Sequence, residues 1–472
     1  MMNEEQQMAN EPMTINPELA KRIQDELGQN VYLCYQCVKC TSGCPVGDFF
    51  DWQPNQIMRA VQLGQEDIAL ESQTPWLCAA CQTCTTRCPQ DLDINAIMEF
   101  LTREALDRGI KPSVPEVNIF TEAFMREIRL WGRAYEPGLM AEMKLRNPRH
   151  LLDDIDLYKE MLKKRKVAFL PKPGRPPHRV GKIPGAADAV AYYPGCSLHS
   201  TAPEFNQSAM AVAEKLGLHL IEPQGWVCCG SSAAHRVDPE AATELPLQNL
   251  AILEQSGFKE VTMPCAACFN RHKATQYEIR HNREHKDQAY EAIGYDYQDT
   301  VQVSTLTQSM LNQVGLEGIR AQVEKPLTGL RVVAYYGCLL TRPPQVTEAE
   351  HPENPTDMDE LLTALGAEVV DWSYKTTCCG AVHSLTRPDI VLSLSGELIR
   401  HAQEAGADGI AVACPLCHTN LDARQFQMNL DEPLPVLYFT QLMALALGIP
   451  DKAILNKNLV DPQPMLRDLQ LL

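Results

Sequence analysis

No stretch of this chain approaches the roughly 18 consecutive apolar residues that a membrane helix needs. The best run, LMALALGI at 442–449, is far too short, so a membrane contact has to come through a partner. The opening MMNEEQQMANEP carries neither a basic n-region nor an apolar core. A signal peptide is therefore not expected, and the chain reads as cytoplasmic. Positive charge is also short: 42 Lys and Arg face 60 Asp and Glu, for a net charge of −18. Nucleic acid is a poor partner for such a chain, because phosphate binding needs clustered cations. No G-x-G-x-x-G follows a strand-like run, so no flavin or nicotinamide fingerprint is present.

What is plentiful is cysteine. Eighteen occur, and every one falls into a patterned group. In a chain without an export signal, metal binding or redox chemistry explains cysteine better than disulfides do. The length of 472 residues and the 45% hydrophobic content allow several domains with buried cores.

Residues 1–15 read as a flexible tail. A helix follows in NPELAKRIQDELG, with Asn16 as cap, Pro17 in the first turn, Gly28 as stop, and Leu19, Ile23 and Leu27 on one face. Helices are also expected over about 54–63 and 94–107. They bracket CYQCVKCTSGCP and CAACQTCTTRCP, both of which read C-x2-C-x2-C-x3-C-P. This run resembles the bacterial ferredoxin signature for a pair of cubane [4Fe–4S] clusters. By the crossing rule of that signature, Cys34, Cys37, Cys40 and Cys88 hold one cluster, and Cys78, Cys81, Cys84 and Cys44 hold the other. Structural zinc is the competing reading, but zinc sites rarely use a triple run followed by Cys-Pro.

Residues 110–188 read as a connector. Val117, Phe120, Phe124, Ile128 and Trp131 recur at helical spacing, which predicts core packing. The stretch 165–188 is Pro-rich and basic, and reads as a solvated linker or surface arm. Beyond 189 the chain repeats itself: AVAYYPGC answers RVVAYYGC, VCCG answers TCCG, and VTMPCAAC answers IAVACPLC, each 142 to 150 residues on. Strand-like and helical runs alternate within each copy, which predicts α/β domains. The cysteines fall at strand ends, where open α/β sheets place ligands.

Each copy offers five cysteines: Cys196, Cys228, Cys229, Cys265 and Cys268, then Cys338, Cys378, Cys379, Cys414 and Cys417. Five exceed what one zinc or one cubane requires, and an extra thiolate can bridge two irons. Gly230 and Gly380 suit positive φ, which lets the backbone approach a bound group. His199, His235, His383 and His418 lie within a few residues of these cysteines. A histidine so placed can protonate a leaving thiolate, although a packing histidine is the plainer reading of each. Arg236, Arg342 and Arg387 can pair with an anionic substrate, with solvated surface as the plainer reading.

PENPTDMDELLTALGAEVVDW, KTTCCG and CPLCHTNLDARQ resemble the second half of the B subunit of heterodisulfide reductase, and residues 31–109 resemble the C subunit of the same enzyme. The resemblance implies a C–B fusion, α+β and multidomain: a small α-helical ferredoxin-like module followed by two duplicated α/β CCG domains. Its segments are a tail and helix (1–30), a two-cluster module (31–109), the connector (110–188), and CCG domains over 189–325 and 326–472. It further implies that each five-cysteine set binds a noncubane [4Fe–4S] cluster and that the two clusters flank a disulfide substrate. The implied partners are a FAD and iron–sulfur flavoprotein like the A subunit of that enzyme, with a hydrogenase or another dehydrogenase attached, and small-molecule disulfides or thiols. An electron-relay component of a glycolate-type or membrane-associated oxidoreductase is the alternative, and a structural zinc scaffold is a third.

Overall fold

The structure is a computed structural model that describes residues 16–147, 154–175 and 180–472. The expected tail, 1–15, residues 148–153 of the connector and residues 176–179 of the basic stretch lie outside the described residues. The chain forms two compact units. The described residues up to Cys78 make the smaller one together with Thr83–Pro115; Ala79–Gln82 and Glu116–Leu472 make the larger.

The smaller unit is helical. Helix α1 (Glu18–Leu27) starts where Asn16 Oδ1 accepts from the Glu18 N–H at 3.1 Å and stops at Gly28, whose φ of 68° is left-handed. Helices α2 (Pro54–Leu63) and α3 (Ile94–Asp107) match the apolar periodicity. Leu19, Ile23, Ile57, Met58, Val61, Ile97, Met98 and Leu101 meet in one core. Each such side chain contributes about 1.5–3 kcal/mol on burial. Cys40 is buried in this core, and Cys34, Cys78, Cys84 and Cys88 pack against it. Non-glycine residues sit at positive φ at matching places of the two cysteine loops: Gln36 and Val38 in the first and, in the short segment that belongs to the larger unit, Ala80 and Gln82 in the second. Such strain persists only where the surroundings impose it, and left-handed turns of this kind point backbone N–H groups at a bound anion.

In the larger unit, helices α4 (Pro115–Trp131), α5 (Glu136–Arg146) and α6 (Ile155–Lys163) come first. Two parallel four-stranded sheets follow. The first contains β1 (Val190–Tyr192), β2 (Leu220–Ile221), β3 (Glu260–Met263) and β4 (Gln302–Thr305) in the order β2-β1-β3-β4. The second contains β5 (Arg331–Tyr335), β6 (Glu368–Val369), β7 (Gly409–Val412) and β8 (Val436–Tyr438) in the order β6-β5-β7-β8. The identical order is the structural form of the repeat. Both central strands of each sheet are buried almost throughout, as near-continuous apolar runs in parallel sheets require. The two halves share a core: Phe205 stacks on Tyr438 at 4.1 Å, and the Ser208 and Thr440 hydroxyls meet at 2.7 Å.

Candidate functional site

Parallel strands end on one edge of a sheet, and the loops beyond them carry the thiols. Cys196 follows β1, Cys265 follows β3, Cys338 follows β5, and Cys414 follows β7. Cys265 and Cys414 stand at the entrances of helices α7 (Ala266–His281) and α8 (Pro415–Ala423), whose first turns carry Cys268 and Cys417. The Cys-Cys-Gly loops are held from the strands: the Tyr193 hydroxyl donates to the Val227 carbonyl at 2.6 Å, and the Tyr335 hydroxyl donates to the Thr377 carbonyl at 2.6 Å. Gly230 and Gly380 take φ of +79° and +78°.

The thiols of each set lie together. The Sγ atoms of Cys229 and Cys268 are 3.5 Å apart, as are those of Cys379 and Cys417. Cys228 is a hydrogen-bond partner of Cys196, and Cys378 of Cys338. The two sets also touch, because Cys265 and Cys414 are hydrogen-bond partners. Hydrogen bonds from Cys228 and Cys268 hold Cys229 well below the ordinary thiol range, and the bond from Cys417 lowers Cys379. In each set one thiol is thus held toward the thiolate, the form that ligates metal, while the partners that donate to it, Cys228, Cys268 and Cys417, are pushed up.

Two glycines show that the backbone here is shaped around sulfur. A Cβ on Gly195 would lie 2.9 Å from Cys268 Sγ, and one on Gly337 would lie 2.9 Å from Cys417 Sγ; both glycines have positive φ. With five thiols in each half, the donor set fits a sulfur-rich iron cluster. Among the described residues, no group of Cys, His, Asp or Glu side chains is arranged to hold a single metal ion.

All ten of these cysteines line one cavity of about 280 Å³. Part of its wall comes from the connector, including Phe120, Phe124, Leu139, Met140, Leu157 and Met161. Val117 and Ile128 of the apolar stripe are buried as expected, whereas Phe120 and Phe124 face this cavity. The basic stretch also differs from a solvated arm at its start: Lys166 is 1% exposed and donates to Glu204 at 2.6 Å.

The histidines separate. His199 pairs with Glu222 at 3.2 Å, His383 is buried beside Thr386, and His418 is buried against Tyr438 at 4.1 Å with Nε2 on the Val436 carbonyl. Burial holds His418 well below the usual imidazole range. His235 lies on the short helix that follows the first Cys-Cys-Gly loop. None of the three arginines is plain solvated surface. Arg342 is buried, donating to Thr376 and Glu353; Arg387 pairs with Asp389, and Arg236 is buried. Sequence reading missed His272, one turn beyond Cys268, where it is buried with Nδ1 2.7 Å from the Cys268 carbonyl. It also missed Glu136 and Arg271, both of which line the cavity. The i+4 spacing from Cys268 was a signal for His272; Glu136 had none.

Comparison with known proteins agrees with this arrangement. The family described as cysteine-rich domain (CCG) matches residues 190–271 and 332–422, and the 4Fe-4S dicluster domain matches 33–93. The 8-methylmenaquinol:fumarate reductase membrane anchor subunit of Wolinella succinogenes is 34% identical over 277 residues, 57% of this chain and 96% of that one. The B subunit of a ferredoxin/F(420)H(2)-dependent CoB-CoM heterodisulfide reductase of Methanosarcina acetivorans is 28% identical over 284 residues, 57% of this chain and 93% of that one. A hypothetical protein from Helicobacter pylori shares the fold at a TM-score of 0.50 and 12% identity, covering 68% of this chain and 60% of that one.

Proposed function

This chain belongs to the family of the heterodisulfide reductase B subunit, with a 4Fe-4S dicluster domain ahead of the family region, and from that premise we propose that it is the disulfide-reducing module of a multi-subunit complex. It is an iron–sulfur electron-transfer protein. The finer reading is that two cubane clusters feed two noncubane clusters, and that a disulfide is split, or formed, between the latter. The observation that carries this reading is the pair of complete five-cysteine sets on one cavity, in contact through Cys265 and Cys414.

Cys34, Cys37, Cys40 and Cys88 would hold one cubane, and Cys78, Cys81, Cys84 and Cys44 the other. The first noncubane cluster would be held by Cys196, Cys228, Cys229, Cys265 and Cys268, and the second by Cys338, Cys378, Cys379, Cys414 and Cys417. When bound, such clusters supply electrons singly and iron that takes up released sulfur. The chain's own residues hold the thiolates in place and wall the cavity with apolar side chains that keep water from the reacting sulfurs. The partner this reading calls for is a flavoprotein with its own iron–sulfur motifs. The name of the Wolinella relative favours a second reading, in which the chain relays electrons within a quinol-linked complex without disulfide chemistry. Among the described residues no helix is long and apolar enough to cross a membrane.

Anaerobic purification with identification of the co-eluting proteins tests the choice. The first reading expects such a flavoprotein and about sixteen irons per chain. Co-elution with a quinol or hydroxy-acid oxidoreductase, together with no turnover of any disulfide, sinks it.

A further inference from the structure

We propose that Glu136 is the proton donor to the sulfur leaving the cavity, an inference that rests on the disulfide reading above. Few groups around the cavity can play this part. Among the described residues no histidine lines it: His199 turns its Nε2 to Glu222, and His418 is packed in the core with Nε2 on a backbone carbonyl. Arg424 makes a bidentate pair with Asp154, both bonds 2.9 Å. Among the described residues that leaves one carboxyl on the wall without a cationic partner. Glu136 opens helix α5, lines the same cavity as Cys196, Cys228 and the other thiols, and accepts from Thr201 Oγ1 at 3.4 Å.

The surroundings suit a neutral acid. Desolvation pushes Glu136 up to about 8, with the Thr201 hydroxyl opposing the rise. Among the described residues, the other titratable or charged groups on this wall are Asp154 with its partner Arg424, Arg271, Tyr158, Tyr193 and the thiols. None of them contributes to the shift of Glu136. At neutral pH the carboxyl therefore carries its proton, at an acidity close to that of a free thiol, about 8.5. Proton transfer between such matched groups is efficient in both directions.

The step balances as R–S–S–R′ plus two electrons and two protons giving RSH and R′SH. The S–S bond breaks on uptake of two electrons, which the clusters of the proposed function would supply. One sulfur takes the Glu136 proton: an S–H bond forms, an O–H bond breaks, and a carboxylate is left. Solvent supplies the second proton and restores the carboxyl.

The test uses the anaerobically purified full chain, with reduced viologen as donor and bis(2-hydroxyethyl) disulfide as probe. Glu136→Gln should lower kcat about 100-fold or more, leave KM and the cluster spectra unchanged, and abolish the fall in rate that wild type shows as pH rises through about 8. Thr201→Val should move that fall to higher pH, because it removes the bond that holds Glu136 down. An infrared titration should show a protonated carboxyl lost over the same range in wild type and absent from Glu136→Gln, whether or not the chain turns over. A working wild type with an unaffected Glu136→Gln, or with no such infrared difference, overturns the assignment alone. A wild type that reduces no disulfide overturns the disulfide reading with it.

Discussion

The two halves of the larger unit place five thiols at the same strand ends but brace them differently. In the first half the connector does the bracing. The Cys228 N–H donates to the Gly132 carbonyl at 2.8 Å, and Arg133 lies 3.4 Å over the Trp226 ring while its Nε donates to the Trp226 carbonyl. In the second half the Cys379 loop is braced from within the half, and the connector joins further off, through Asp154 on Arg424. Asn420 donates to the Cys379 carbonyl at 3.2 Å and approaches Cys379 Sγ at 3.6 Å, and Ser384 holds Asn420 at 2.8 Å. The repeat thus preserves the donor geometry while the support and charge around it have diverged. On the proposed reading, two centres with the same ligands and different surroundings are set up to differ in potential.

The largest break in that symmetry comes from removing a ligand on one side. On the proposed reading, Cys378→Ser abolishes a noncubane signal from the second half and Cys228→Ser one from the first, each with loss of turnover and with the ferredoxin-type signals intact. Electron paramagnetic resonance of the reduced variants reads both. Loss of every signal from either variant would count against separate sites.

Next come the glycines packed on sulfur. Gly195→Ala and Gly337→Ala each place a Cβ 2.9 Å from a ligand sulfur at positive φ, a conformation that costs a residue with a Cβ about 1–2 kcal/mol before any clash. Each should lose up to about four irons per chain, from its own half only. Full iron content in both variants would show that the backbone there is free to yield.

Third is the Arg424 clamp, which ties the connector to the second half. Burial alone would raise Asp154, but hydrogen bonds and charge from Arg424 outweigh it and hold the carboxyl below its usual range. A folded-state pKa that is depressed stabilises the chain above the unfolded value, about 3.9, and the contribution is lost as pH falls through the folded value. Arg424→Ala strands a largely buried carboxylate and should cost about 3–5 kcal/mol, with the penalty shrinking in acid. Chemical denaturation at pH 7 and pH 4 checks it; an equal loss at both would remove the ion pair from the explanation.

The sheets, the repeat and the cysteine positions were legible because each is local: short strand-like runs end in a cysteine, and the pattern recurs. The same holds for α2 and α3, where apolar spacing and a Pro or Asp at the entrance mark the ends. What stayed hidden depends on contacts across long stretches of chain. Lys166 sits in a basic, Pro-rich run that reads as solvated, and its burial is made tolerable by Glu204, 38 residues on, and by the charge of Asp422. Phe120 and Phe124 fit a packing stripe equally well whether their neighbours are side chains or a cavity. Glu136 looks like any acidic first-turn residue until the fold brings Thr201 to it.

The smallest expected effect is the most direct probe of the divergence. Arg271 stands three residues after Cys268, and Asn420 stands three after Cys417, so a guanidinium in one half occupies the place of an amide in the other. Arg271 lines the cavity and donates to Asn270 at 2.7 Å. A fixed positive charge near a redox centre favours its reduced, more negative form, and little solvent intervenes to screen it. Arg271→Asn should therefore lower the reduction potential of the first half's centre and leave the second unchanged. Asn420→Arg should raise the second, provided the Cys379 support is not lost with it. That proviso is checked by Asn420→Leu, which removes the donor to Cys379 without adding charge and so gives the effect of lost support alone. Redox titrations followed by paramagnetic resonance give all three values. If the two centres of wild type titrate together and neither exchange separates them, then charge at this position does not distinguish the halves, and any functional asymmetry has to arise from the connector's hold on the first.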